Sequence, residues 1–179
     1  MDLGTVFEVM RPYDPALIDN NETSALGTYA ATLDASKIVI AEGMRPMVFR
    51  CRTLTMSQRE QVRDQSQEHR QNRLAFRYGV IEIRGIPRPD GDVYETQNLD
   101  STRRSPKDAL VPPVMDRLET LGIGDHDLDF IGAAIIGRSF LAHGVPARVR
   151  VPDSCLHAFQ VLLSLRAAQP REPSTPKEG

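Results

Sequence analysis

The sequence predicts an α+β fold, a small sheet with several helices, and three observations carry that expectation. Short β-branched or alternating runs occupy residues 38–42, 46–54 and 80–84. Apolar residues at helical spacing fill about 112–121 and 125–142. Polar, proline-bearing stretches bound this core. Residues 1–35 read as an extended N-terminal arm, 36–167 as a single α+β domain, and 168–179 as a disordered C-terminal tail. A chain of 179 residues fits one domain. At that size folding buries roughly 70% of the unfolded surface, so neither a metal nor a disulfide is required.

The elements follow in chain order. In the arm, Pro12, Pro15, Asn20 and Asn21 are turn formers, and Leu26, Ala30 and Leu33 share one face of a short helix over Thr23–Leu33. Met47, Phe49 and Cys51 alternate with Arg50 and Arg52, which is strand periodicity. Ser57 and Glu60 have the spacing of a capping box and predict a helix over about 58–77. That helix is polar almost all round, so it should project into solvent or face a polar partner. Val80–Arg84 reads as a strand that Gly85 ends. Residues 86–110 hold few large apolar groups, and a connection of that length is usually functional or mobile.

Pro112 and Pro113 suit the first turn of the next helix, with Val114, Leu118 and Leu121 as its apolar face and Gly122 as its stop. Asp125 and Asp127 open a further helix, where carboxylates offset the exposed amides. Leu128, Ile131, Ala134, Ile135 and Leu141 are its candidates for burial. Gly132 and Gly137 suit a close approach of two helices. Val145–Val151 alternates as an edge strand, and Asp153 caps a last helix over about 154–167.

Composition excludes several classes. Net charge is −2, so no global positive field exists to hold nucleic acid or an anionic membrane. The start of the chain has no basic n-region followed by an apolar run, and no window holds 18 apolar residues. A soluble intracellular protein is expected. Cys51 and Cys155 lie far apart and read as reduced thiols.

Candidate chemistry is sparse. His69, His126, His143 and His157 form no metal-ligand spacing. Cys155 and His157 would need Cys51 and His143 from distant segments to complete a zinc site. The same pair could make a thiol nucleophile, but no oxyanion-hole signature accompanies it. Asp125, Asp127 and Asp129 resemble acid–base carboxylates, and helix capping explains their placement better. No glycine-rich phosphate loop is present. No catalytic, cofactor-binding or metal-ligating residue is therefore assigned. Ten arginines between Arg45 and Arg88 could hold phosphates, but Glu60, Asp64, Glu68 and Glu82 interleave with them.

One resemblance gathers these features. The run Phe49-Arg50-Cys51-Arg52-Thr53-Leu54-Thr55-Met56-Ser57-Gln58-Arg59-Glu60 is a strand with an aromatic residue, then a Leu-Thr step into a polar helix. Ala75-Phe76-Arg77-Tyr78-Gly79-Val80 follows, then short helices from Leu118 to Leu141 and the proline-rich QPREPSTPKEG. In element order this resembles the tail assembly chaperones of long-tailed bacteriophages, over residues 37–142. The resemblance implies a non-enzymatic protein without cofactor that binds tape-measure, tail-tube or baseplate proteins. It would work in the host cytoplasm during assembly or remain in the virion. Residues 1–35 and 145–165 fall outside the resemblance and would suit a minor structural protein of the tail, baseplate or connector. Further alternatives are a nucleic-acid-binding accessory protein using the arginines of 45–88 and a thiol- or zinc-dependent enzyme. A homo-oligomer is compatible with the leading reading, and membrane contact is not expected. Expected partner contacts are Arg59, Arg63, Arg70 and Arg73 on the polar helix and Leu128, Ile131 and Ile135 on the apolar one.

Overall fold

A computed structural model describes residues 4–11, 13–18, 29, 33–35, 38–88 and 94–141. The predicted helix over Thr23–Leu33 falls largely outside these residues. The Val145–Val151 strand, the 154–167 helix and the 168–179 tail lie wholly outside them.

The architecture is α+β, as the sequence predicts. Strands β1 (Val6–Met10), β4 (Val48–Arg52), β5 (Val80–Pro87) and β6 (Tyr94–Asn98) form one antiparallel sheet in the order β1-β4-β5-β6. Strands β2 (Leu17–Ile18) and β3 (Val39–Ile40) form a separate antiparallel ribbon. The alternation expected of β4 holds through Cys51, with Phe49 and Cys51 fully buried and Arg50 exposed, but Arg52 is buried rather than exposed, held by Asp100 and the Pro106 carbonyl. Glu8, Arg50 and Glu82 stand opposite one another across three strands, which keeps the outer face charged.

Two boundaries move. The stretch assigned to an arm supplies β1, whose Val9 is fully buried, and it places Ala16, Leu17 and Tyr29 in the interior. Five residues flanked by turn formers are too few for periodicity to stand out. The Tyr29 hydroxyl accepts from Met10 N–H at 2.5 Å and donates to Met10 C=O at 3.0 Å. Burial pushes its pKa up to about 12. At the other boundary, Gly85 does not end β5. Its φ of +76° makes a bulge through which the strand continues to Pro87, and a Cβ there would lie 2.3 Å from the Pro46 carbonyl oxygen.

The single helix predicted over 58–77 is two helices, α1 (Met56–Arg63) and α2 (Glu68–Gly79). The capping box lies two residues earlier than Ser57–Glu60. Thr55 Oγ1 accepts from Gln58 N–H at 3.4 Å, and Gln58 Oε1 accepts from Thr55 N–H at 2.9 Å. Asp64 to Gln67 carries no apolar residue to hold a continuous helix down, and the chain turns there. Helix α2 does not project. Its last two turns bury Asn72, Ala75, Phe76, Tyr78 and Gly79, and Phe76 meets Phe49 edge-to-face at 6.2 Å.

Helix α3 (Pro112–Thr120) starts on its two prolines and buries Leu118. Helix α4 (Asp125–Leu141) is buried nearly all round, as expected of a central core helix. It packs on α2 at a close approach. A Cβ on Gly132 would sit 2.0 Å from the Asn72 carbonyl oxygen, so the sequence expectation for this glycine holds.

The described residues of the 86–110 connection, 86–88 and 94–110, are more ordered than their composition suggests. They include β6 and a 3-10 turn over Asp100–Thr102. Arg103, its side chain wholly excluded from solvent, donates to the carbonyls of Arg77 (3.0 Å), Val80 (2.6 Å) and Tyr78 (3.5 Å). These carbonyls lie at the C-terminal end of α2, where a helix leaves acceptors without internal donors. Gln58 Nε2 donates to Lys107 C=O at 2.8 Å, and Arg52 donates to Pro106 C=O. Leu110 N–H donates to Arg77 C=O at 2.9 Å, while Arg77 Nε donates to Leu110 C=O at 2.8 Å. Side chains from β4, α1 and α2 thus fasten the segment that delivers the chain to α3.

Candidate partner-binding groove

The seven expected contact residues separate into two groups. Leu128, Ile131 and Ile135 are core, at 8%, 0% and 0% exposure. Helical periodicity identified an apolar face that packs within the chain; Ile131 and Ile135 are not available to a partner, and Leu128 is reached only from the floor of the groove described next. Of the arginines, Arg63, Arg70 and Arg73 are exposed. Arg59 is half-buried and donates to the Ser139 carbonyl at 3.3 Å, which ties α1 to α4. Arg73 is paired with Asp125 across the α2–α4 junction.

A groove of about 520 Å³ lies between α2, α3 and the start of α4. That volume is within the range of small-ligand and side-chain pockets. Each wall follows from helical spacing. Arg73 and Arg77, four apart, form the α2 wall. Pro112, Met115, Asp116 and Glu119, at i, i+3, i+4 and i+7, form the α3 wall. Leu118, Ile123 and Leu128 are the buried apolar residues beneath. Asp116 and Glu119 are exposed, and no ion pair to either occurs among the described residues. Reading α3 only for its buried stripe passes over Met115, Asp116 and Glu119. The 3.6-residue period of the same helix is the signal that aligns them.

Behind the groove, two buried carboxylates fix the start of α4. Asp127 accepts from Gly124 N–H at 3.1 Å and so caps the helix, in keeping with the capping read from the sequence. It also accepts from the Tyr13 hydroxyl at 2.5 Å and lies 3.6 Å from Arg11 NH1. Arg11 Nε reaches Asp14 at 3.2 Å. Asp14 accepts from Ala16 N–H and Met47 N–H, both at 2.9 Å. One guanidinium thus serves two carboxylates from separate segments. Burial raises the Asp127 pKa, against the lowering effects of Tyr13, Arg11 and the Gly124 amide. Burial likewise raises that of Asp129, opposed chiefly by Arg73. Asp14 was legible in principle: Tyr13-Asp14-Pro15 is a turn sequence, and Asp commonly accepts from the amide two residues on.

Other candidate chemistry is not assembled. Cys51 is fully buried, and that burial drives its thiol pKa far up, which keeps the nucleophilic thiolate scarce. His69 and His126 are exposed, and Cys155, His143 and His157 lie outside the described residues. Among the described residues, no group of three or more His, Cys, Asp or Glu could hold a metal ion. Likewise, no described helix is long and apolar enough to cross a membrane.

Several of the arginines of 45–88 meet acceptors within the chain. Arg84 pairs with Glu8 and with Glu82, Arg88 with Glu95, and Arg52 with Asp100. Arg45 lies over the Tyr94 ring at 5.9 Å. Arg52, Arg73, Arg84 and Arg88 are thus paired with carboxylates, while Arg63 and Arg70 stand exposed on α1 and α2.

Neither protein families, curated proteins nor solved structures give a match to this chain.

Proposed function

We propose that this is a non-enzymatic protein that acts through contacts with other proteins, in bacteriophage morphogenesis and most specifically as a tail assembly chaperone. The observation that carries the contact reading is the groove between α2 and α3. It has an apolar floor and charged walls, and its helices are fixed by the Arg103 and Asp127 bonds. A preformed slot of that kind suits the docking of a partner segment at low ordering cost. The phage assignment rests on the resemblance of residues 37–142 in element order. The pairing of Arg52, Arg73, Arg84 and Arg88 with carboxylates weighs against the nucleic-acid alternative, which requires unneutralised cations.

Native mass measurement after co-expression with tape-measure, tail-tube and baseplate proteins tests this reading. Capture of one of them, dissociable in the absence of finished tails, is the expected result. A closed homo-oligomer that ignores all three points instead to a structural component of the virion. Binding to duplex DNA that weakens steeply with salt would favour the nucleic-acid alternative.

A further inference from the structure

The two walls of the groove differ in how their charges are used. On the α2 wall, Arg73 is neutralised by Asp125, and Arg77 is held by the Leu110 carbonyl at 2.8 Å beside the C-terminal end of its own helix. Carbonyls at that end offset a cation. On the α3 wall, Asp116 and Glu119 stand three residues apart on one face with Met115 beside them. Neither carboxylate has an ion-pair partner among the described residues. An apolar floor next to two unneutralised carboxylates calls for an occupant with an apolar anchor and a cation on one flank.

From this asymmetry we infer that the groove receives a basic amphipathic segment of another protein, with a leucine- or phenylalanine-sized side chain seated over Leu118, Ile123 and Leu128 and a lysine or arginine facing Asp116 and Glu119. Helical spacing fits both requirements, because positions three or four apart in the partner present an anchor and a cation together. Met115 is half-buried at the lip, and its flexible thioether adapts to anchors of different shape. The inference rests on the protein-contact reading and gives that partner its chemistry. The opposite polarity is disfavoured: a carboxylate seated in the same position would face two carboxylates at close range.

The test uses the full chain and two fluorescein-labelled helical peptides with the same leucine stripe, one flanked by lysines and the other by glutamates. Fluorescence anisotropy should show the lysine peptide binding and the glutamate peptide not. The affinity should fall as salt rises from about 50 mM to about 500 mM. The double substitution Asp116→Lys/Glu119→Lys should weaken the lysine peptide by about tenfold or more and admit the glutamate peptide. Both positions are exposed, and an unchanged melting temperature would show that the fold is intact. Equal binding of both peptides, no binding of either, or indifference to the double substitution overturns the inference. Capture of tail proteins by the same variant separates the two levels of the proposal. Undiminished capture locates the contact elsewhere and leaves the function standing. Absence of capture by the unsubstituted protein removes the function itself.

Discussion

Helix α2 meets α4 on one side and α3 on the other, and the two junctions are built differently. Toward α4 the contact is close: Gly132 lies against the Asn72 carbonyl, and Gly79 lies against Ile135. Toward α3 the helices stand apart, with Arg73 and Arg77 facing Met115, Asp116 and Glu119 across a cavity of about 520 Å³. The first junction leaves no volume for an added methyl group, and the second has volume left for another molecule. Substitutions should therefore act on stability at the first and on binding at the second.

The largest effect is expected at Gly132. Alanine there places its Cβ on the Asn72 carbonyl oxygen, a backbone atom that yields only if the helices separate. Gly132→Ala should cost about 3 kcal/mol or prevent folding, read from the urea midpoint. Any loss below about 1 kcal/mol would mean that the α2–α4 contact is looser than described.

Arg103 comes next, because it holds the end of α2 that both junctions share. Arg103→Met leaves the carbonyls of Arg77, Tyr78 and Val80 short of a donor and should cost about 2 kcal/mol. Arg103→Lys should recover only part of this, since an ammonium cannot reproduce the planar fork. Full recovery by lysine would reduce the role of Arg103 to its charge.

Asp127 sharpens the comparison through pH. Its folded-state pKa lies above the unfolded value of 3.8, so the fold favours the protonated acid. That stabilisation is present below the unfolded pKa and is lost as pH rises through the folded pKa. Asp127→Asn does not titrate and keeps one acceptor oxygen, enough for Tyr13 or Gly124 but not both, a loss that is the same at every pH. The stability of the Asn variant relative to the parent should increase as pH is raised from about 4 to about 7. A flat or falling difference would show that Arg11 and Tyr13 outweigh burial. Asp127→Ala, which removes the cap and also does not titrate, should cost about 1 kcal/mol near pH 4 and less as pH rises.

The smallest effect is expected at Arg73. Its pair with Asp125 is exposed on both sides, at 44% and 74%. Arg73→Ala should change stability by less than about 0.5 kcal/mol. A larger loss, read from the same urea midpoints, would show that the groove wall also supports the core.

How much of this was legible depends on the range over which each signal acts. The strand around Phe49 and Cys51, the prolines that open α3 and the Gly132 contact are local patterns, and they read correctly. The start of α1 was misplaced because Thr55 and Ser57 both offer a capping hydroxyl, and the choice depends on Gln58 reaching Lys107 as well as Thr55. Leu128, Ile131 and Ile135 were visible as an apolar face, but a face does not say whether its cover belongs to the same chain. The bonds from Arg103, Arg52 and Arg11 span residues whose sequence separation carries no period, so nothing short of the folded backbone brings them together.

The Tyr29 hydroxyl has a role at the rim of the sheet. In an antiparallel strand, successive residues direct their amide and carbonyl groups to opposite sides. Thr5 bonds Thr53 of the neighbouring chain segment, so Val6, Glu8 and Met10 present theirs outward. Tyr29 occupies both polar groups of Met10. Among the described residues, what remains for an incoming strand is Val6 and Glu8, too short a row for a foreign chain to zip onto, and the second carries a charge. A phenol thus serves as an edge guard: Tyr29→Phe would fold around nearly the same ring and leave a longer adhesive border, which concentration-dependent light scattering would reveal.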